Sequence, residues 1–338
     1  ADRLRVCMVN TGSGDPVQVV CGAPNARAGM KGVFAPAGAY VPGIDLVLKA
    51  GNIRGQDSNG MLCSEREMMI SDEHDGIIDL DQDAPVGESF AAWAGLDDPV
   101  IEIAITPNRA DCLGVRGVAR DLAAAGYGTL KPLDTSAHEG SFDSPVTWRL
   151  DLDGAEHLAP LITGIAFRGV TNGPSPDWMA RRLNAIGQRP ISALVDITNY
   201  VMFDLGRPLH AYDVDKIHGN ELIVRQATGG EPFAALNEKT YEMEAGMITI
   251  GDAEGVDDLA GVMGGERTGV SDGTTGMFLE IAVFDPISVA TTGRKLNLNS
   301  DARYRFERGL DSESPVWAAG HIARMVTEIC GGEASVPV

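Results

Sequence analysis

The chain has 338 residues, more than one hydrophobic core usually supports, so two or three domains are expected. Its 44% hydrophobic and 22% charged content is ordinary for a globular protein, and no apolar run reaches the roughly 20 residues that span a bilayer. A net charge of −21 excludes a protein that holds nucleic acid over its whole surface, because phosphate contact is driven by Lys and Arg. The opening "ADRLRVCMVN" is neither a signal nor a transit peptide, so a cytoplasmic protein is expected, and a start at Ala1 inside a strand pattern suggests a piece of a longer chain.

Residues 1–95 are short apolar runs ("LRVCMVN", "VQVVCG", "GIIDL") set between glycine- and proline-rich turns, the pattern of a small barrel. Residues 1–55 carry six basic against three acidic residues, so polyanion contact is expected there and at a second cluster, Arg294, Lys295, Arg303, Arg305 and Arg308. From Val100 an alternating strand leads into a loop, with Asp111 placed to cap a helix ending near Gly126. Residues 131–147, "KPLDTSAHEGSFDSPVT", read as a linker. Ser175-Pro176 starts a helix lined by Met179, Leu183 and Ile186 and stopped by Gly187. Ser314-Pro315 repeats that device ahead of Ile322, Met325, Val326, Ile329 and Cys330, the apolar face of an amphipathic last helix closed by Gly331-Gly332.

General catalytic motifs are scarce. There is no P-loop, H-E-x-x-H or G-x-S-x-G, and "TGSGDP" reads as a turn. The six histidines show no ligand spacing and the five cysteines form no C-x-x-C pair, so neither a metal site nor a disulfide framework is expected. Glu280 sits in the apolar strand "MFLEIAVFDP" after the glycine-rich "LAGVMGGERTG". A lone strand glutamate is more often exposed; a buried one needs a polar partner and becomes a recognition candidate. His210 follows the Gly-Arg-Pro turn in "DLGRPLHAYD", and a turn carries a side chain to a cleft more readily than into a core.

"VCGAPNARAGMKGVFAPAGAYVPG" with "IRGQDSNGMLCSERE" resembles the OB-fold tRNA-binding domain of synthetase-associated proteins. "ITPNRADCLGVRGVARDLAAA", "RPISALVDITNYVMFDLGRPLHAYDVDKI", "LAGVMGGERTGVSDGTTGMFLEIAVFDP" and "DARYRFERGLD" follow in the order of the bacterial phenylalanyl-tRNA synthetase beta subunits. The resemblance covers essentially the whole chain. It implies a multidomain α+β fold: an OB-fold β-barrel over residues 1–96, a small α+β connecting segment over 97–134, a linker over 135–147 and a mixed α+β B3/B4 editing domain over 148–338.

The resemblance also implies hydrolysis of mischarged tyrosyl-tRNA(Phe). An apolar pocket rejects an isostere bearing one extra hydroxyl by only about 10²-fold, so a second site must read the phenol. By motif, Glu280, Arg189 and Gly264 would bind substrate. His210, Ser300 and Ala302 would serve hydrolysis, with direct water attack favoured over an acyl-enzyme. Arg3, Arg5, Arg27, Lys31, Lys49 and Arg54 are the candidates for tRNA contact. Asn299-Ser300 departs from the family's His-Thr; Ser300 keeps the hydroxyl with a freer rotamer. Implied partners are tRNA(Phe) and an alpha subunit, in a heterotetramer of two alpha and two beta chains, with no membrane. ATP and Mg2+ are implied for the full synthetase and no cofactor for this part. Two rivals stand beside this reading: a non-catalytic tRNA-binding and subunit-packing module, and a free-standing deacylase carrying an OB domain.

Overall fold

The computed structural model describes residues 4–338, so Arg3 lies outside the described residues. The chain divides into two compact units, one ending at Val100 and one running from Ile101 to Val338.

In the first unit the strands are short: β1 (Arg5–Val9), β2 (Val17–Cys21), β3 (Phe34–Pro36), β4 (Tyr40–Val41), β5 (Leu46–Val47), β6 (Gly51–Ile53), β7 (Gln56–Ser58) and β8 (Gly60–Leu62), before a single-turn helix α1 (Phe90–Trp93). They pair two by two, as β1 with β2, β3 with β8, β4 with β5 and β6 with β7. A closed barrel is therefore not formed among the described residues. Outside the five-residue β1–β2 ladder, turns interrupt the ladders after two or three residues; Arg54 and Gly55, at φ 53° and 86°, make the tight reversal between β6 and β7. Single bonds replace ladders elsewhere, such as Asn59 N donating to Gln18 O at 2.9 Å. Val19, Cys21, Ala26, Cys63 and Ile77 are buried.

The second unit opens with residues 101–105, which form no strand, in contrast to the expected alternating strand. Asp111 does not cap the following helix. It lies in a 3-10 turn, its carboxylate bound by Arg109 and Arg120, and α2 (Val115–Ala124) starts after Gly114 instead. The expected linker is tied down: Arg324 Nη2 donates to Asp134 O, Ser141 N donates to Ala334 O, and Val146 is fully buried.

Two sheets and a helical layer build the rest. The elements are β9 (Thr147–Asp151), β10 (Leu161–Arg168), α3 (Asp177–Ala185), α4 (Ala193–Leu205), β11 (His210–Asp213), β12 (Glu221–Gln226), β13 (Glu231–Ala235), β14 (Lys239–Met243), β15 (Ile248–Asp252), β16 (Gly255–Leu259), β17 (Met263–Gly264), β18 (Gly276–Val283), α5 (Pro286–Lys295), α6 (Asp301–Phe306), α7 (Ser314–Cys330) and β19 (Glu333–Ala334). One sheet has the order β11-β18-β10-β19 and is antiparallel; the other, β17-β16-β15-β12-β9, is closed by the parallel pair β12-β9. Met277, Leu279 and Ile281 of β18 face Met179, Leu183, Leu194, Ile197, Ile322 and Val326 of α3, α4 and α7. The alternate residues Phe278 and Ala282 face Leu222, Ile250 and Leu259 of the other sheet. Buried on both faces, β18 reads as a near-continuous apolar run, and Glu280 interrupts it.

The helix starts shift by a residue or so. Ser175 Oγ donates to Asp196 Oδ2 at 2.6 Å and leaves α3 without a side-chain cap, and Ile186 is exposed. In α7, Ile322, Val326 and Cys330 are buried and Gly331 stands at the end with φ 70°. Most of the second basic cluster is engaged within its own unit, while Arg294 stays exposed with Nε donating to Ala290 O at 3.2 Å. Arg305 is buried with Nε donating to Leu113 O at 3.1 Å, Arg303 is buried against Glu307 at 3.0 Å, Arg308 binds Glu307 and Lys295 pairs with Glu244.

Candidate functional site

The edge strand β11 of one sheet and the edge strand β17 of the other meet, and the sequence-predicted residues gather there. His210 is the cross-strand partner of Glu280, and Gly164 of β10 is its partner on the other side. Having no side chain, Gly164 leaves room for the Phe278 ring. Gly264 lies against the His210 imidazole: a Cβ at 264 would stand 2.0 Å from His210 Cε1, so only glycine fits. Ser300 caps α6, its Oγ accepting from Arg303 N at 3.0 Å and donating to Val262 O at 2.5 Å, which ties α6 to the turn before Gly264. Those two bonds pin the serine rotamer despite the lost γ-methyl of threonine. Ala302, half-buried, packs against the core between the sheets. Arg189 is different: it is exposed on the loop between α3 and α4, with no hydrogen bond to His210 or Glu280 among the described residues.

Glu280 is 5% exposed, contrary to the ordinary expectation for a strand glutamate, and no donor among the described residues hydrogen-bonds its carboxylate. Burial pushes its pKa up to about 7 against the opposing pull of Arg207. Burial takes His210 down to about 4, so the ring is neutral near pH 7. Its Nε2 is buried without a partner, and its Nδ1 lies 3.8 Å from Asp258 Oδ2, beyond hydrogen-bond reach. Asp258 is buried and raised well above the usual carboxylate range by burial and then by Glu280, and it accepts from Tyr212 Oη at 3.4 Å. Tyr212 stacks edge-on against His210 with centroids 4.5 Å apart. Arg207, Tyr212 and Asp258 went unremarked in the sequence. Their available signals were the period of two from His210 to Tyr212 and the adjacent acids of "GVDDL" in an apolar strand.

The site thus offers a buried acceptor, an imidazole with one free nitrogen and a backbone approached closely at Gly264. No thiol takes part: Cys63 and Cys330 are free, buried and pushed up to about 11 by burial. Asp111, Cys112 and Asp121 cluster closely enough to hold a metal, but the Arg109 guanidinium occupies their centre, donating to all three.

In the first unit a groove of about 1040 Å3 is lined by Arg5, Arg27 and Lys31 with Phe34, Phe90 and Trp93. Arg27 pairs with Asp79 at 2.7 Å, Arg5 donates to Pro24 O at 3.1 Å, and Lys31 donates to Gln82 O and Ala84 O at 2.5 Å. Lys49 and Arg54 are exposed elsewhere on the unit.

The B3/4 domain family profile matches residues 158–331, the stretch that contains His210, Gly264 and Glu280. The chain belongs to the B3/4 domain family. A putative tRNA binding domain profile matches residues 1–89, ahead of the B3/4 domain. Relatives named phenylalanine-tRNA ligase beta subunit share 56% identity in Brucella abortus and 54% in Gluconobacter oxydans, each over 99% of this chain but 42% and 40% of their own length. The chain therefore spans about two fifths of the curated relatives it matches. A solved N-terminal fragment of the phenylalanyl-tRNA synthetase beta subunit from Pyrococcus horikoshii aligns at 17% identity and TM-score 0.32, over 63% of this chain and 70% of that one, too weakly to speak for the fold.

Proposed function

We propose that the chain is the part of a phenylalanyl-tRNA synthetase beta subunit that binds tRNA(Phe) and hydrolyses mischarged tyrosyl-tRNA(Phe). The observation that carries this reading is Glu280, a buried carboxylate with no hydrogen-bond donor among the described residues, beside a histidine with a free ring nitrogen. Tyrosine differs from phenylalanine by a phenolic hydroxyl, protonated at neutral pH with a pKa of about 10. Its O–H supplies the missing donor, and a hydrogen bond to a charged group contributes about 1.5–3 kcal/mol. Phenylalanine leaves the buried carboxylate unpaired, which sharpens the discrimination.

For the chemistry, a positioned water adds to the ester carbonyl carbon and the bond to the ribose oxygen breaks. Tyrosine and a free terminal hydroxyl result, the water proton passing to the departing oxygen. His210, with its pKa near 4, is a weak base, so its role is to orient water or ribose through Nε2. The Ser300 proton is committed to Val262 O, which disfavours an acyl-serine and supports Ser300 as the residue that holds α6 to the turn before Gly264; Ala302 is assigned beside it by motif. Gly264 admits the His210 imidazole against bare backbone and so sets where the ring stands, and the exposed Arg189 is assigned to the tRNA strand rather than to the ester.

In this reading residues 1–96 form an OB-type tRNA-binding domain, 97–134 a connecting segment, 135–147 a linker and 148–338 the editing domain. The basic groove and the tRNA-binding profile match support the first of these. The partners are tRNA(Phe) and the alpha subunit of a two-alpha, two-beta enzyme in the cytoplasm. ATP and Mg2+ serve ligation in that full enzyme, and we assign no residue of this chain to them. No helix among the described residues is long and apolar enough to cross a membrane. The test is deacylation of tyrosyl-tRNA(Phe) and phenylalanyl-tRNA(Phe) by the parent chain and Glu280→Ala. Loss of tyrosine hydrolysis with tRNA binding kept supports the reading; equal discrimination in parent and variant sinks it.

A further inference from the structure

Arg207 is 1% exposed and stands three residues before His210. Its Nη1 donates to Ser314 Oγ at 2.9 Å at the start of α7, its Nη2 donates to Ala282 O on β18, and its Nε has no acceptor. Both hydrogen-bond partners are neutral and beyond them the Phe306 ring face lies 5.8 Å from Cζ, so a positive charge sits in the interior without an ion pair, an arrangement that costs stability unless an opposite field offsets it. The acids that face it are Glu280, one side-chain step along β18 from Ala282, and Asp311 in the turn before α7.

We propose that Arg207 is a positioning residue of the recognition site, its fixed charge holding Glu280 as the carboxylate that accepts the phenolic hydrogen bond of a tyrosyl substrate. This rests on the function proposed for Glu280. The groups that oppose it are in view: Asp258 on β16 and Tyr212 on β11 are both in the field of Glu280, with Asp257 beside Asp258, and the His210 ring is neutral. Burial raises Glu280 and Arg207 is what lowers it, to about 7. Without the guanidinium only the raising influences remain, and near neutral pH the side chain becomes a protonated acid that no longer offers a charged acceptor.

The test is the titration of Glu280, followed by carboxyl 13C NMR in the 338-residue chain and assigned by its disappearance in Glu280→Gln. In Arg207→Met the midpoint rises by about one pH unit or more, whereas Arg207→Lys stays near the parent. Hydrolysis of tyrosyl-tRNA(Phe), corrected for the spontaneous rate, falls at pH 7 in the Met variant and recovers as the pH passes the new midpoint. An unmoved midpoint, or a loss of hydrolysis equal at every pH, overturns the proposal and leaves Arg207 a structural tie between β18 and α7. Should Arg207→Met not fold, Arg207→Met/Glu280→Gln decides: refolding supports the charge coupling and continued unfolding refutes it. A midpoint that moves in Arg207→Met, with a parent chain that leaves tyrosyl-tRNA(Phe) intact, removes the editing reading and the substrate half of this proposal, while the coupling of the two charges stands.

Discussion

Gly264→Ala is the smallest change that strikes the site where its two sheets meet. The new Cβ would lie 2.0 Å from His210 Cε1 and 2.7 Å from Nδ1, against an ordinary carbon contact of about 3.5–4.0 Å. The ring must retreat by roughly 1.5 Å, yet it is hemmed by the edge-on Tyr212 ring at 4.5 Å and by its cross-strand neighbour Glu280. Overpacking of this kind costs about 1–3 kcal/mol. In a domain of this size each kcal/mol lowers Tm by about 2–4 °C, so a fall of roughly 2–12 °C is expected by calorimetry. Adding His210→Ala removes the clashing ring, and the double variant should then recover about 0.5–3 kcal/mol relative to the sum of the single changes. Strict additivity, or an unchanged Tm for Gly264→Ala, would refute the claim that the glycine is there to admit the imidazole.

Three further outcomes follow from the same geometry. Ser300→Ala removes the α6 cap and orphans Val262 O, costing about 0.5–2 kcal/mol in urea melts, while Ser300→Thr keeps most of it. His210 is buried neutral, its folded pKa of about 4 below the 6.5 of the free side chain, so its contribution is whole above pH 6.5 and drains away as pH falls toward 4, by at most about 3 kcal/mol; His210→Gln should flatten the acid side of the stability profile, and an unchanged slope would contradict this. Lys49→Ala should lower the slope of log K for tRNA against log salt by about 0.7–0.9, whereas Arg27→Ala, already held by Asp79, should change it less; equal slopes for parent and Lys49→Ala would remove Lys49 from the contact.

Local pattern made some of this legible. The apolar face and glycine stop of α7 are a helical period that any solvent-facing helix must show, and they stand where expected. Asp111 was readable as a cap only by ignoring Arg109 and Arg120, which compete for its carboxylate. The barrel pattern is realised only as far as its short strands, for a related reason. Alternating apolar residues announce strands but not their partners, and turns divide these strands into separate pairs. Within the site, the residues suggested by resemblance are His210, Gly264, Glu280, Ser300 and Ala302. The neighbours that tune them were silent, because Tyr212 reaches Asp258 across 46 residues and Arg207 reaches Ser314 across 107. Such contacts exist only once two sheets and a helix have packed.

The central claim is that Glu280 reads a phenol, and a pair of non-hydrolysable 3'-amide analogues, tyrosyl- and phenylalanyl-adenosine, tests it most directly by calorimetric titration. The account predicts that the parent chain binds the tyrosyl analogue about 10- to 150-fold more tightly, the equivalent of about 1.5–3 kcal/mol, and that Glu280→Ala binds the two alike. Equal affinities in the parent, or a preference that survives in Glu280→Ala, would contradict it.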